Sequence, residues 1–392
     1  MVTASMGMEP SYRLLSAWVQ DGKGEDERSI GLSMKKISAV ILALMLALSA
    51  LPALASESDE VYKVIFDTDM LEMHDDVKCM LMLLNSDKID VLGVTTSPGN
   101  SHTEEGMAYT LRMLELFGYD EVPVYPGAGV PLVHAFDRYE NAEAFRALYG
   151  GFPYGIFARE KPESYLELAE EPSIGYPEYL EPQDMNAVEF IAKTVKENPG
   201  EITLIVVGAC TNVALAIRTY PEIIPLVKQV IYMGGAFDVP GNMTPVAECN
   251  FWMDPEAAKI CLNAPFARQV VVPLDACMSA FVDKAFYDKM CAAPKTPFLE
   301  MYEELEVQYY QDEDDKSPVF DEITAALLIN PEVVTRTEKR YVDVDITYGE
   351  TYGKSLGYAE GSIVPAGLQE VEIVMEVDEE LLWSIMYEYL TK

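Results

Sequence analysis

"VYKVIFDTDMLEMHDDV", Val61–Val77, carries an apolar run of strand length straight into a cluster of acids. Asp67, Asp69, Glu72, Asp75 and Asp76 fall within ten residues, and "DDVKCMLMLLNS" continues with the spacing of a helix. Working outward, strand-like runs "IDVLGVTT", "VPVYPG", "EITLIVVGA", "QVIYMGG" and "RQVVVPLD" alternate with helical stretches. These are "TEEGMAYTLRMLELFG", "DMNAVEFIAKTVKEN", "TNVALAIRTYPEI" and "DPEAAKICLNA". Continuous apolar strands separated by helices predict an α/β fold: a mainly parallel central sheet with helices on both faces, in a single domain. The C-terminal "YVDVDITYGETYGKSLGYAEG" and "VEIVMEVDEELLWSIMYEYL" read as short strands followed by a closing helix.

The rhythm breaks at about 134–181, a stretch rich in Tyr, Phe, Pro and Gly. Such an insertion reads either as a lid or binding loop or as a packed irregular subdomain. Upstream, Lys35 and Lys36 precede an apolar stretch that ends on Ala53-Leu54-Ala55 before Ser56. That is a secretory signal peptide over 34–55, which predicts a secreted or cell-envelope protein whose domain spans 56–392. Residues 1–33 are polar, precede the better start at Met34, and read as a mis-assigned start outside the fold.

The chain has 28 Lys+Arg against 65 Asp+Glu, a net charge of −37. A field of that sign repels phosphate backbones and anionic lipid, so nucleic acid is excluded as a partner, and so is a membrane once the leader is cleaved. Small molecules and divalent cations remain. Six cysteines without a CxxC are too sparse for a disulfide scaffold, and three histidines (His74, His102, His134) disfavour zinc.

In a parallel sheet, ligands bind beyond the carboxyl ends of the strands. The loop holding Asp67, Asp69, Asp75 and Asp76 is therefore a prime site. Like charges so close raise one another's pKa and cost stability, a cost that a hard oxygen-seeking cation such as calcium removes. Helix capping by Asp75 or Asp76 is the alternative without metal. Other strand ends offer Asn100 in "TTSPGN", Gly208 and a carbonyl in "VVGACTN", and Asn242, Glu248 and Asn250 in "NMTPVAECNFWMDPEAA". Asp321 in "SPVFDEITAALLINP" stands at a helix start. Such amides and carboxylates can hold vicinal hydroxyls.

Taken in order, "DTDMLEMHDD", "TTSPGN", "GACTN", "YMGG" and the N-x5-E-x-N segment running into "DPEAA" resemble the inosine–uridine preferring nucleoside hydrolase family, from about Val61 to the C-terminus. The resemblance implies a calcium-dependent hydrolase of the N-glycosidic bond of ribonucleosides, assembled as a homodimer or homotetramer. It implies calcium ligation by Asp69, Asp76, the Val207 carbonyl and Asp321, with Asp69 also the general base toward the attacking water. Asp75, Asn100, Asn242, Glu248 and Asn250 match the positions that grip the ribose, and Asp67 a supporting strand-end acid.

Two departures stand out. Leu71 replaces a glycine of the family's loop and Met73 an aspartate, so the loop folds without glycine. Phe320 stands where better-known members carry the histidine that protonates the leaving base. Phe320 and the insertion aromatics Tyr149, Phe152, Tyr154 and Phe157 are the base-site candidates by stacking, with a Tyr or Glu of the insertion as the alternative acid. Two other readings stay open: a phosphatase with "DTDML" as its nucleophile loop, and a ribose-binding relative that has lost catalysis.

Overall fold

The computed structural model describes residues 61–133, 155–157 and 159–392. The leader, residues 1–33 and the candidates Tyr149, Phe152 and Tyr154 lie outside the described residues.

Six strands that the sequence marks as apolar runs form the parallel part of the sheet. They are β1 (Tyr62–Thr68), β2 (Ile89–Thr96), β3 (Val124–Tyr125), β4 (Ile202–Val206), β5 (Gln229–Met233) and β6 (Gln269–Val272). A short antiparallel pair, β7 (Phe281–Asp283) with β8 (Lys316–Pro318), stands apart from the main sheet. The C-terminal strands β9 (Val334–Val344), β10 (Ser355–Tyr358) and β11 (Gln369–Val377) extend the main sheet, with β11 parallel to β6 and antiparallel to β9. The nine-stranded order is β10-β9-β11-β6-β5-β4-β1-β2-β3.

Each strand sends alternate side chains to opposite faces. Val64 and Phe66 of β1, with Ile205 of β4 and Ile231 of β5, pack on one face against Val77, Leu81, Met113, Ile323 and Leu382. Those belong to helices α1 (Asp75–Leu84), α2 (Thr103–Phe117), α10 (Glu322–Ile329) and α11 (Glu379–Leu390). Ile65, Leu204, Val206 and Val230 pack on the other face against Phe190, Ile191, Val213 and Ala257. These lie on α3 (Ala187–Glu197), α4 (Thr211–Thr219) and α6 (Pro255–Leu262). Burial on both faces is why the strands read as unbroken apolar runs. Residues 60–392 form one compact unit.

The chain adds β2 and β3 on one side of β1, then crosses to add β4, β5 and β6 on the other. The order therefore reverses between β1 and β4, and the crevice beyond their carboxyl ends is the site such folds use for ligands. Asp67 pairs with Val206 in register there, and Val207 N–H donates to the Asp67 carbonyl at 2.8 Å.

Candidate active site

β1 delivers Asp67, Thr68 and Asp69 into that crevice, all at most 1 % exposed. The Asp67 Oδ2 accepts from Thr95 Oγ1 at 2.6 Å and from Asn212 Nδ2 at 2.8 Å. Asn212 also donates to the Thr96 carbonyl at 2.9 Å and accepts from Ala128 N–H at 2.8 Å, so it ties β1, β2 and the loop after β3 together. Asp67 thus braces the floor. Burial still pushes its carboxyl up to about 7, against the pull of these donors.

Asp69 accepts Asn100 N–H on Oδ2 at 2.6 Å, while its Oδ1 is buried without a hydrogen-bond partner. Asp76, in the first turn of α1, accepts from Thr68 Oγ1 on Oδ1 and from Asn100 Nδ2 at 3.5 Å on Oδ2. Burial and then the charge of Asp76 hold Asp69 well above the ordinary carboxylate range. Burial and the charge of Asp75 push Asp76 to about 7. Asp321 occupies the N-cap position of α10, makes no capping hydrogen bond with its side chain, and is 2 % exposed. It is raised by burial, then by Asp75 and Asp76, so its carboxyl shares the field of the loop acids.

Asp75 behaves differently. Burial pushes its carboxyl up, but its ion pair with His74 outweighs that and holds it below the ordinary range. The same pair lifts the imidazole to about 9. Oxygen and nitrogen atoms of His74, Asp75 and Asp76 lie within 4.8 Å of one another. In that group His74 and Asp75 already satisfy each other, whereas Asp69, Asp76 and Asp321 offer only oxygens in a mutually repelling set. A hard cation fits the second set: it neutralises the repulsion, and the orphaned Asp69 Oδ1 supplies an unspent ligand atom.

The loop folds without glycine by placing Met73 in the left-handed region at φ 49°, two residues after Leu71, the position where the sequence pattern lacks its glycine. Met73 is 6 % exposed and packs into the core, which holds a backbone that an L side chain rarely adopts.

The segment after β5 forms the opposite wall. Glu248 caps the short helix α5 (Cys249–Met253): Oε1 accepts from Asn250 N–H at 2.7 Å, and Oε2 accepts from Gly235 N–H at 2.7 Å and Phe251 N–H at 3.1 Å. Asn250 donates its amide to the Val207 carbonyl at 2.7 Å and to the Met233 carbonyl at 3.1 Å. The Val207 carbonyl is therefore partly spent, with one lone pair left. Asn242 is exposed and accepts Cys249 N–H at 2.9 Å. Phe320, half-buried just before Asp321, packs against the core.

Leu132, just ahead of the insertion, and Ile156, within it, are both fastened to this region. Leu132 N–H donates to Asp254 Oδ2 at 2.9 Å, and Ile156 N–H donates to the Gly99 carbonyl at 3.1 Å. Phe157 ends the one-turn helix Gly155–Phe157, which contains Ile156. Sequence reasoning named the acids but missed Thr68, Thr95 and Asn212, their hydrogen-bond donors. All three stood in quoted motifs, "DTDMLEMHDD", "TTSPGN" and "GACTN", but nothing in the spacing marked them as partners of the acids.

A cluster of acids at the switch point of a parallel sheet, with amides and a glutamate facing it from the next loop, suits hydrolysis of a neutral glycoside. The comparisons agree. The family model described as inosine-uridine preferring nucleoside hydrolase matches residues 64–384. The pyrimidine-specific ribonucleoside hydrolase RihA of Citrobacter koseri is 31 % identical over 306 residues, covering 77 % of this chain and 87 % of that one. A plant nucleoside hydrolase superposes with a TM-score of 0.67 at 26 % identity, covering 84 % of this chain and 99 % of that one. The purine-preferring ribonucleoside hydrolase from Gardnerella vaginalis shares the fold with a TM-score of 0.64 at 21 % identity, covering 84 % and 98 %. The nine-stranded α/β domain is that of these enzymes, and the chain belongs to the inosine–uridine preferring nucleoside hydrolase family of ribonucleoside hydrolases.

Proposed function

We propose that this hydrolase depends on calcium held by Asp69, Asp76, the Val207 carbonyl and Asp321. Asp69 carries this reading: its Oδ1 is buried, unpaired and set among carboxylates that burial and mutual repulsion keep high. When bound, calcium would orient and acidify the attacking water. Asp69 takes that water's proton, held in place by the Asn100 N–H bond to its other oxygen. Asp75, Asn100, Asn242, Glu248 and Asn250 hold the ribose hydroxyls. Asp75, kept ionised by His74, places negative charge beside the ribose as its glycosidic bond breaks and positive charge builds. Phe320 and the aromatics Tyr149, Phe152 and Tyr154 border the base. The basic n-region, apolar stretch and Ala53-Leu54-Ala55 support export with cleavage after Ala55, and the family resemblance supports a homo-oligomer.

The test is cleavage of p-nitrophenyl riboside by the purified protein, first with calcium and then with excess chelator. That leaving group needs little protonation, so the assay isolates water activation from the acid that Phe320 does not supply. Calcium-dependent release of nitrophenol is the expected result. A folded, calcium-loaded protein that cleaves neither this compound nor any of a panel of purine and pyrimidine nucleosides would be a ribose-binding relative instead.

A further inference from the structure

Behind the acidic loop, α1 carries a lysine in a largely apolar seam. Lys78 stands between buried Val77 and Cys79, two residues after Asp76, and only 16 % of its side chain is exposed. Its Nζ lies 3.0 Å from Glu306 Oε1, at the end of α9 (Pro297–Glu306), and 3.7 Å from Glu322 Oε1, in the first turn of α10. Those carboxylate side chains are 7 % and 4 % exposed. The second oxygen of Glu322 accepts Phe320 N–H at 3.2 Å.

Stability does not require this arrangement. Taking a charge out of water is costly, and apolar side chains of similar volume commonly do as well or better. What directed ionic contacts add is register: apolar faces slide, whereas Nζ–Oε vectors fix where two helices stop. Here the fixed helices are the ones bearing Asp76 and Asp321.

We propose that Lys78 is a positioning residue for the cation site. Through Glu322 it anchors the start of α10 to α1, and through Glu306 it anchors α9 to the same point. It thereby sets the gap between the Asp76 and Asp321 carboxylates, and it holds the backbone of Phe320 through the same glutamate. The inference rests on the calcium reading above and goes beyond it by assigning a residue that touches neither cation nor substrate.

The test is calorimetric titration of calcium into the chelator-stripped full chain. It compares wild type, Lys78→Met, Lys78→Arg, and the charge-balanced double variant Lys78→Met with Glu306→Gln. Unfolding midpoints of the calcium-free proteins are measured alongside. Loss of a supporting contact to a metal site weakens affinity by roughly ten- to hundredfold, which is the expected result for Lys78→Met and for the double variant. Lys78→Arg should recover most of the affinity. A lysine that only stabilises the fold would lower the calcium-free midpoint while folded variants kept wild-type affinity, and that result overturns the proposal. Should Lys78→Met not fold, the double variant decides: wild-type affinity there overturns the proposal equally. Wild-type protein that binds no calcium would sink the calcium reading itself, an outcome distinct from unchanged affinity in the variants.

Discussion

A Cβ added to Gly99 would lie 1.8 Å from Oδ2 of Asp69. The backbone after β2 approaches the catalytic candidate so closely that only hydrogen fits, and that approach lets Asn100 N–H reach the same oxygen at 2.6 Å. Gly208, after β4, closes in from the other side: its Cβ would meet Asp69 N at 2.9 Å and Ser97 Oγ at 2.5 Å. Asp69 is thus held by two strand ends whose residue type is set by space rather than by chemistry.

Gly99→Ala should therefore inactivate without replacing any of the proposed ligands, by displacing Asp69. The added methyl displaces the carboxylate, and misplacement of a reacting group by about 1 Å costs on the order of 10²-fold in rate. We expect kcat for p-nitrophenyl riboside to fall by about that factor while the midpoint of thermal unfolding drops only modestly. Steady-state kinetics beside a melting curve checks this; unchanged kcat would mean that Asp69 is not the base.

Calcium removal should make stability depend on pH with a definite sign. Burial raises Asp67 and Asp76 from an ordinary 3.8 to about 7, and Asp69 and Asp321 move in the same direction. A carboxyl with a raised folded pKa binds more protons folded than unfolded, so its contribution is fully present below the unfolded value and is lost as pH rises toward the folded one. Without calcium these groups weaken the fold progressively from about pH 4 to 7; a bound cation takes the place of the protons. The gain in unfolding midpoint on adding calcium should therefore widen across that window. A gain that stays flat with pH would place these carboxylates outside the cation site.

Much of this was legible because of where the chemistry sits. The six parallel strands are buried on both faces, so they stood out as unbroken apolar runs, and strand ends are where such folds place their ligand groups. The stretch from Phe281 to Pro318 was less readable. Asp283 and Thr296 cap its helices α8 (Lys284–Cys291) and α9, but its strands are three residues long and have no period to detect. The partners of the site acids were invisible for a different reason. Asn212 reaches Asp67 across 145 positions, and Lys78 meets Glu306 and Glu322 only because α1, α9 and α10 share one face of the sheet. Pairings of that kind belong to tertiary packing, which periodicity does not encode. The missing glycine of the first loop was read correctly as a backbone problem, but it is Met73, not Leu71, that takes the left-handed turn.

Glu115 offers a stability prediction far from the acids. Its carboxylate accepts the N–H groups of Glu178 at 2.9 Å and of Tyr179 and Leu180 at 2.7 Å, and pairs with Arg112 at 3.0 Å. Burial alone would raise this carboxyl, but the three N–H groups and Arg112 outweigh it and hold it below its ordinary range. A depressed carboxyl stabilises above its unfolded pKa and stops doing so as pH falls through the folded one. Glu115→Gln should cost about 1–3 kcal/mol in urea unfolding at pH 7 and progressively less in acid, with kcat unchanged. An equal loss at every pH would assign the effect to packing rather than to the charge.

The most informative substitution is Phe320→His. Phe320 adjoins Asp321, and the family resemblance read from the sequence implies that it stands in place of a histidine that protonates the departing base. A nucleoside needs that proton because its base leaves poorly as an anion, whereas p-nitrophenol does not. General acid catalysis is worth roughly 10²–10⁴-fold when fully positioned. An imidazole placed on an unadapted backbone should recover a smaller part of it, about tenfold in kcat for a nucleoside. The rate with p-nitrophenyl riboside should not move. The nucleoside gain should fade as pH rises past about 6.5, where an ordinary imidazole loses its proton. Equal changes on both substrates would show that residue 320 acts through the proposed cation site beside it and not on the leaving group, which would leave the insertion aromatics as the remaining candidates for contact with the base.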